Sequence, residues 1–299
     1  MARKTTNLLR EQQVAHQKIG DMNLSLPGRL ERNFRQLLGR HHVHLGMLEL
    51  SAQIFADSLA GQSSEAVFIR ECAKKQGFHT LHPHKSFASA RSYLVYSHIA
   101  YVFSAGDVLC ENIRSTDRLK RIKTEAVGNL STELNKGDFV RKTLALTLLA
   151  GMPAKDRTAD AVSAAVEREQ LRESFALVNY YRLIRNEELH TEGEMTQASI
   201  SAWETLPRVS ILDRYGRMPS APADQPVAAD ALLCSQAWQD VAKWLCRHMW
   251  SDSEVQALIK KRFGNRRGER RSIAVRRYLA LELLHSTEDI ETAMASVSW

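Results

Sequence analysis

The stretch that decides the fold runs from Ser86 to Arg114 and reads SFASARSYLVYSHIAYVFSAGDVLCENIR. Its apolar residues recur at helical spacing and occupy nearly every side of the helix, which predicts burial on several faces. Helical spacing predicts further helices over about 5–20, 29–60, 64–76, 138–150, 158–191, 196–206 and 228–250, and from Ser251 to Gly264. Sustained β-type alternation is absent from the sequence, so it predicts an all-α fold.

The chain divides into three predicted regions. Residues 1–85 form an N-terminal helical extension, 86–250 a helical bundle domain, and 251–299 a basic C-terminal helical segment. Within the bundle domain, four prolines make 207–227 the clearest long loop. These prolines are Pro207, Pro219, Pro222 and Pro226.

Composition and charge narrow the function classes. The 299 residues include 41 Lys plus Arg against 34 Asp plus Glu, and the net charge of +7 favours polyanionic partners such as RNA, DNA or an acidic protein. The four cysteines form no C-x-x-C pair, which predicts buried free thiols in a reducing compartment and no structural zinc site. Because there is neither a long apolar run nor a signal-peptide pattern, we expect a cytoplasmic protein without a membrane span.

The most informative motif is the hexapeptide RNEELH, from Arg185 to His190. On an ideal helix Asn186 and His190 are one turn apart on one face, and Arg182 lies one turn before them. Arg185 is offset from His190 by roughly 140°, but its long side chain can reach the same face. The spacing therefore predicts that a guanidinium, a carboxamide and an imidazole come together.

This set of groups suits cleavage of a phosphodiester. An imidazole with a pKa of about 6.5 can take the proton from an RNA 2′-hydroxyl or give one to the leaving 5′-oxygen. An arginine offers a planar fork to the phosphate and to the charge that develops in the transition state. When the 2′-hydroxyl is the nucleophile, no metal is needed and the product is a 2′,3′-cyclic phosphate.

Arg185, Asn186 and His190, at the end of an aromatic-rich helix, resemble the R-x-x-x-x-H motif of the HEPN superfamily, often with asparagine after the arginine. The helix 86–114, with Asp107 and Glu111, resembles the helix that packs against the motif helix in that family. The resemblance covers roughly residues 86–250. It implies an antiparallel helical bundle and a homodimer whose two motifs face each other. It also implies metal-independent RNA cleavage without a cofactor, and a toxin or anti-phage role with a cognate regulator or antitoxin.

Other clusters have plainer interpretations. The basic run 260–277 is either a phosphate-binding surface or a solvated connector, and its substrate-binding candidates, with Arg182, are Arg266, Arg267, Arg270 and Arg271. Two histidine clusters fit no standard metal spacing and are predicted to be surface residues. They comprise His41, His42 and His44, and His79, His82 and His84. Trp238 and Trp244 are predicted to pack in the core, and Tyr180 and Tyr181 to orient the motif helix.

Two other function classes stay open on the sequence alone. A non-catalytic helical module would use the basic C-terminal segment to bind nucleic acid or an acidic protein. A regulatory subunit would inhibit or scaffold a partner enzyme. A histidine substitution distinguishes the first of these from a nuclease, because salt-sensitive binding would survive the loss of His190.

Overall fold

The computed structural model describes residues 26–78, 86–125, 139–152, 154–190, 195–265 and 268–296. Within these ranges there are thirteen α-helices, one short 3₁₀ helix and no β-strand, so the predicted all-α class is confirmed. The α-helices are α1 (Pro27–Leu59), α2 (Glu65–Lys75), α3 (Phe87–Arg114), α4 (Asp117–Glu125), α5 (Phe139–Gly151), α6 (Ala159–Gln170), α7 (Glu173–His190), α8 (Gln197–Glu204), α9 (Arg208–Tyr215), α10 (Ala228–Arg247), α11 (Asp252–Phe263), α12 (Gly268–Glu282) and α13 (Thr287–Ser296).

Four long helices form the centre of the molecule. α3 and α10 pack against each other, and each contacts both α1 and α7, which therefore lie on either side of the α3–α10 pair. Near the end of α1, Glu49 is ion-paired with Arg91 at the start of α3. Near the start of α1, Leu30 lines the same small cavity as Leu109 towards the end of α3. α1 and α3 are therefore antiparallel.

α7 and α10 are also antiparallel. Phe175 in the first turn of α7 packs edge-on against Trp244 near the end of α10, at 5.5 Å between ring centroids. Tyr181, further along α7, donates a hydrogen bond to Asp230 in the first turn of α10. These contacts fix which end of the bundle holds the motif: it is the end where α10 begins.

The centre of the bundle depends on one glycine. Trp238 of α10 is fully buried and contacts Phe34 of α1 and Phe103 of α3, at centroid distances of 6.1 and 5.5 Å. A Cβ atom at Gly106 would overlap the indole ring of Trp238. Gly106 therefore allows α3 and α10 to approach closely, and the predicted core role of Trp238 is confirmed.

The described part of the predicted N-terminal extension shares this core through α1. The apolar face of α1 belongs to the same buried cluster as the helices of the predicted 86–250 domain. Its members in that cluster are Leu30, Phe34, Leu38 and Leu45. The packing therefore does not change at residue 85, where the sequence suggested a boundary.

The last three helices form a smaller apolar cluster of their own. Its buried members are Val255, Ile259, Phe263, Val275, Tyr278, Leu279, Leu283 and Ile290. This unit is joined to the first turn of α1: a Cβ atom at Gly28 would overlap the carbonyl oxygen of Leu281, and Arg32 donates to that oxygen at 2.7 Å. The predicted 251–299 segment is thus a packed helical layer in its described part.

Two sequence predictions need correction. The single helix predicted over 158–191 is broken, because the N–H groups of Leu171 and Arg172 turn to carbonyls three residues back and end α6. The predicted loop 207–227 contains a helix, α9. Its eight residues hold no proline; Pro207 precedes them, and Gly216 ends the helix with φ of 69°.

Cys110, Cys234 and Cys246 are buried free thiols, as predicted, and Cys72 is partly exposed. In the part of the chain that the structure describes, no helix combines the length and apolar character needed to cross a membrane.

Candidate phosphate-handling site at the end of α7

α7 is held in place by two consecutive tyrosines. Tyr181 donates a hydrogen bond to Oδ1 of Asp230 at 2.9 Å, and Tyr180 donates to the carbonyl oxygen of Ser220. Both side chains are buried, and burial together with Asp230 raises the pKa of Tyr181 well above its usual value. The hydroxyl therefore stays protonated and keeps donating. The predicted orienting role of these tyrosines fits their burial and bonds.

Asp230 is a hub that the sequence analysis missed. Its carboxylate is buried and accepts hydrogen bonds from the amide of Ser220 at 2.9 Å, the hydroxyl of Ser220 at 2.7 Å and the amide of Val227 at 2.9 Å, besides the one from Tyr181. An acidic residue at the third position of a helix is a capping signal, and it was available in the sequence. The hub ties α7, the segment before α10, and α10 itself together.

Arg185 and Asn186 are brought together. The Nη2 and Nε atoms of Arg185 lie 2.8 and 3.2 Å from Oδ1 of Asn186. The guanidinium stacks on Phe103 of α3, with its central carbon 4.8 Å from the ring centroid. A flexible cation is thus held on a rigid aromatic face. Oδ1 of Asn186 accepts the hydrogen bonds from Arg185. The side-chain amino group of Asn186 is therefore the group that can donate a further hydrogen bond.

His190 is the last residue of α7, one helical turn after Asn186. Its side chain lies outside the described part of the structure. Arg182, one turn before Asn186, is half-buried and donates from Nη2 to Oδ1 of Asn179 at 2.9 Å. The backbone therefore has the predicted one-turn spacing for Arg182, Asn186 and His190.

Glu187 within the motif has a structural role. It is buried and accepts hydrogen bonds from the amide and the hydroxyl of Thr196, at 2.8 and 2.5 Å. Thr196 in turn caps α8 by accepting from the amide of Ser199. The start of α8 is therefore bonded to the motif helix at Glu187.

Tyr96 of α3 borders this end of α7 and was not singled out from the sequence. Burial, then Glu188, Glu187 and Asp230, raises the pKa of Tyr96 to about 12. The phenol is thus neutral at physiological pH and can donate a hydrogen bond. The family resemblance associated Glu111 with the motif helix. In the structure Glu111 instead accepts hydrogen bonds from Arg114 and Ser115, which follow it at the end of α3.

The predicted basic candidates are only partly described. Arg266 and Arg267 lie outside the described residues. Arg270 and Arg271 are in α12, which packs on α11, α13 and the first turn of α1. The first turn of α1 lies beside residues near 109 of α3, whereas the motif lies beside Phe103 and Tyr96. Along α3, the first turn of α1 and the motif are on the order of 10–20 Å apart. α12 is thus positioned by α11, α13 and α1 rather than by the motif helix α7.

The histidines near residue 41 are more buried than predicted. His41 and His42 are half-buried, and His41 stacks between His98 and Tyr101, at centroid distances of 4.6 and 3.6 Å. His98 is only 2% exposed and lies 3.5 Å from the hydroxyl of Ser235. The surface interpretation is wrong for His41 and His42, because α1 turns this face towards α3.

The second histidine cluster, His79, His82 and His84, lies outside the described residues. Among those the structure describes, no group of three or more histidine, cysteine or acidic side chains has the arrangement of a metal site. Stacked imidazole rings direct their nitrogen lone pairs in parallel planes rather than towards one point, which is the physical reason the cluster at His41 and His98 does not form one.

Comparisons with known proteins gave no match. No family model, no curated protein and no solved structure matches the chain. The residues of the site and the resemblance of its motif to the HEPN superfamily are therefore what indicates a function.

Proposed function

We propose that this protein is a metal-independent endoribonuclease of HEPN type, with Arg185, Asn186 and His190 as its catalytic residues. The observation that carries the proposal is the guanidinium of Arg185, which is stacked on Phe103 and bonded to Asn186, the residue one turn before His190. A fixed cation and an oriented amide beside a histidine are the groups needed to bind a phosphate and move a proton.

The proposed reaction is an internal transesterification of RNA. The 2′-oxygen attacks phosphorus, the bond to the 5′-oxygen breaks, and the products end in a 2′,3′-cyclic phosphate and a 5′-hydroxyl. One proton must leave the 2′-hydroxyl and one must reach the 5′-oxygen. His190 transfers a proton at one of these oxygens, and water exchanges the other. Arg185 binds the phosphate, and the amino group of Asn186 donates to a phosphate oxygen.

The surroundings of the motif support precise positioning. The bond between Tyr181 and Asp230 anchors α7 before the motif, and Glu187 bonds Thr196 at the start of α8. Small displacements at a reacting centre cost large factors in rate, so a site on an anchored helix suits this chemistry. As part of the same proposal, RNA is the substrate, the protein acts as a homodimer in the cytoplasm, and a toxin or defence role follows only from the family resemblance.

The proposal is tested with RNA in EDTA. Wild-type protein, His190→Ala and Arg185→Ala are incubated with RNA of mixed sequence, and the 3′ ends are identified by mass spectrometry. We expect cyclic phosphate ends with the wild type and a rate lower by about 10²–10⁴-fold for His190→Ala. Arg217→Ala removes an exposed arginine elsewhere and serves as the matched control.

Three outcomes contradict the nuclease proposal. Equal cleavage by wild type and His190→Ala would assign the activity to a contaminant. Loss of activity in Arg217→Ala comparable to that in Arg185→Ala would mean that general charge, not the motif, matters. Salt-sensitive RNA binding without cleavage in any protein would favour the binding-module alternative.

A further inference from the structure

The second half of α1 exposes a continuous apolar stripe. Val43, Met47, Leu50 and Ile54 are each more than half exposed. They recur at intervals of four, three and four residues, so they lie on one side of the helix. The buried residues of the same half, Leu45 and Ala52, lie on the opposite side. The stripe is thus separate from the face that packs in the core.

The spacing indicates the kind of surface that would cover the stripe. Alternating intervals of three and four are the pattern by which two α-helices pack side by side. Gly46 and Ser51 flank the stripe, and both are small and uncharged, which allows close approach of a second helix.

The two ends of the stripe are oppositely charged. Continuing the same intervals outward reaches Arg40 at one end and Asp57 at the other, and both are exposed. If two copies of α1 pack antiparallel with Met47 of one facing Leu50 of the other, Val43 faces Ile54. In that same register Arg40 of each copy meets Asp57 of the other. The stripe is therefore complementary to itself in both shape pattern and charge.

We propose that two copies of this chain associate through antiparallel packing of α1 on α1, with Val43, Met47, Leu50 and Ile54 at the contact and Arg40–Asp57 ion pairs at both ends. The contact spans about 26 Å of helix, from residue 40 to 57. Two helices in contact over this length bury less surface area than a standard stable interface. We therefore expect a dissociation constant on the order of micromolar.

This contact is independent of the proposed nuclease function. α1 and α7 lie on either side of the α3–α10 pair, and the stripe is on the side of α1 away from that pair. The two motif helices are therefore not part of the α1 contact. A pairing of motifs, as the family resemblance implies, would use another surface of the same protein.

The first test is sedimentation velocity of the full chain between about 1 and 100 μM, a range set by the expected affinity. We expect reversible dimers from the wild type and at least a tenfold weaker association for Met47→Glu. Leu171→Glu, which alters an equally exposed apolar residue outside the stripe, is the control and should associate like the wild type. All these positions are exposed, and unchanged thermal melting checks that the variants fold.

The second test is a charge exchange, which also reports the orientation of the helices. Arg40→Asp or Asp57→Arg alone places like charges at both ends and should weaken the dimer by about fivefold. The double variant restores both ion pairs and should return to within about twofold of the wild type. In a parallel pair, residue 40 would face its own copy, and the double variant would not rescue the singles.

Four results would overturn the proposal. The first is a wild-type chain that stays monomeric throughout the concentration range. The second is Met47→Glu associating as tightly as the wild type, and the third is failure of the double charge exchange to recover association. The fourth is dimerisation that begins only after residues 1–25 are deleted, because the stripe would then be covered by the chain's own N-terminal segment.

Discussion

The histidine cluster between α1 and α3 predicts a specific loss of stability in mild acid. Burial, with His41 and His42 nearby, lowers the pKa of His98 to about 3. Burial, and then the neighbouring His44 and His42, lowers the pKa of His41 to about 4. A histidine in the unfolded chain is protonated below about pH 6.5, whereas His98 and His41 in the folded chain stay neutral until a lower pH. Stability is therefore full above about pH 6.5 and falls as the pH decreases.

The size of the effect follows for His98, which is almost completely buried. Between pH 7.5 and 5.5 the unfolded side chain goes from about one-tenth to nine-tenths protonated, while the folded one stays neutral. Linkage then gives a loss of about 1.4 kcal/mol from this residue alone. The His98 ring lies beside His41, His42 and the hydroxyl of Ser235, and no described carboxylate bonds it, so no negative charge in the described contacts stabilises its protonated form.

The assay is urea unfolding followed by circular dichroism at both pH values. We expect the wild type to lose at least about 1.4 kcal/mol more than His98→Gln between pH 7.5 and 5.5. Glutamine can keep the bond to Ser235 but cannot titrate. His44→Gln, at the exposed edge of the cluster, is the control and should behave like the wild type. Equal losses in the wild type and His98→Gln would refute the reasoning.

Further predictions concern the packing and the site. Gly106→Ala places a methyl group in the Trp238 ring and should lower the free energy of unfolding by about 1–3 kcal/mol, measured by urea titration; an unchanged midpoint would contradict the close approach. Asp230→Ala leaves Tyr181 and two backbone amides without an acceptor and should cost about 3–5 kcal/mol, measured the same way, and a loss below 1 kcal/mol would be too small for a buried hub. If the nuclease proposal is right, Arg185→Lys keeps the charge but loses the fork, so its RNA cleavage rate should lie between those of wild type and Arg185→Ala.

Local sequence patterns were sufficient to predict the fold class and much of the packing between helices. The stretch 86–114 is apolar on nearly every side, and α3 is indeed in contact with α1, α5, α7 and α10. The predicted start of the helix at Ser251 also has a local cause, because the amide and the hydroxyl of Ser251 donate to Glu254 in the first turn of α11. Such features depend on residues within one or two turns of each other, which is the range that a sequence pattern records.

Features made by distant residues were not predictable in this way. Apolar spacing continues through Leu171, so the break between α6 and α7 is decided by hydrogen bonding and packing rather than by pattern. His41 and His42 look like surface residues until α1 turns them onto His98 of another helix. In the site, helical spacing predicted that Arg185 can reach Asn186. The stacking of Arg185 on Phe103 could not be predicted from spacing, because Phe103 lies on another helix.

The bond between Tyr181 and Asp230 has a consequence for the chain during its synthesis. α7 emerges from the ribosome before α10, and Tyr181 has no Asp230 to bond until α10 has followed. Because the anchoring carboxylate arrives so late, a nascent chain that already contains Arg185 and His190 lacks the scaffold that orients them. Tyr181 therefore gains its acceptor only after the 49 residues that follow it have been added to the chain.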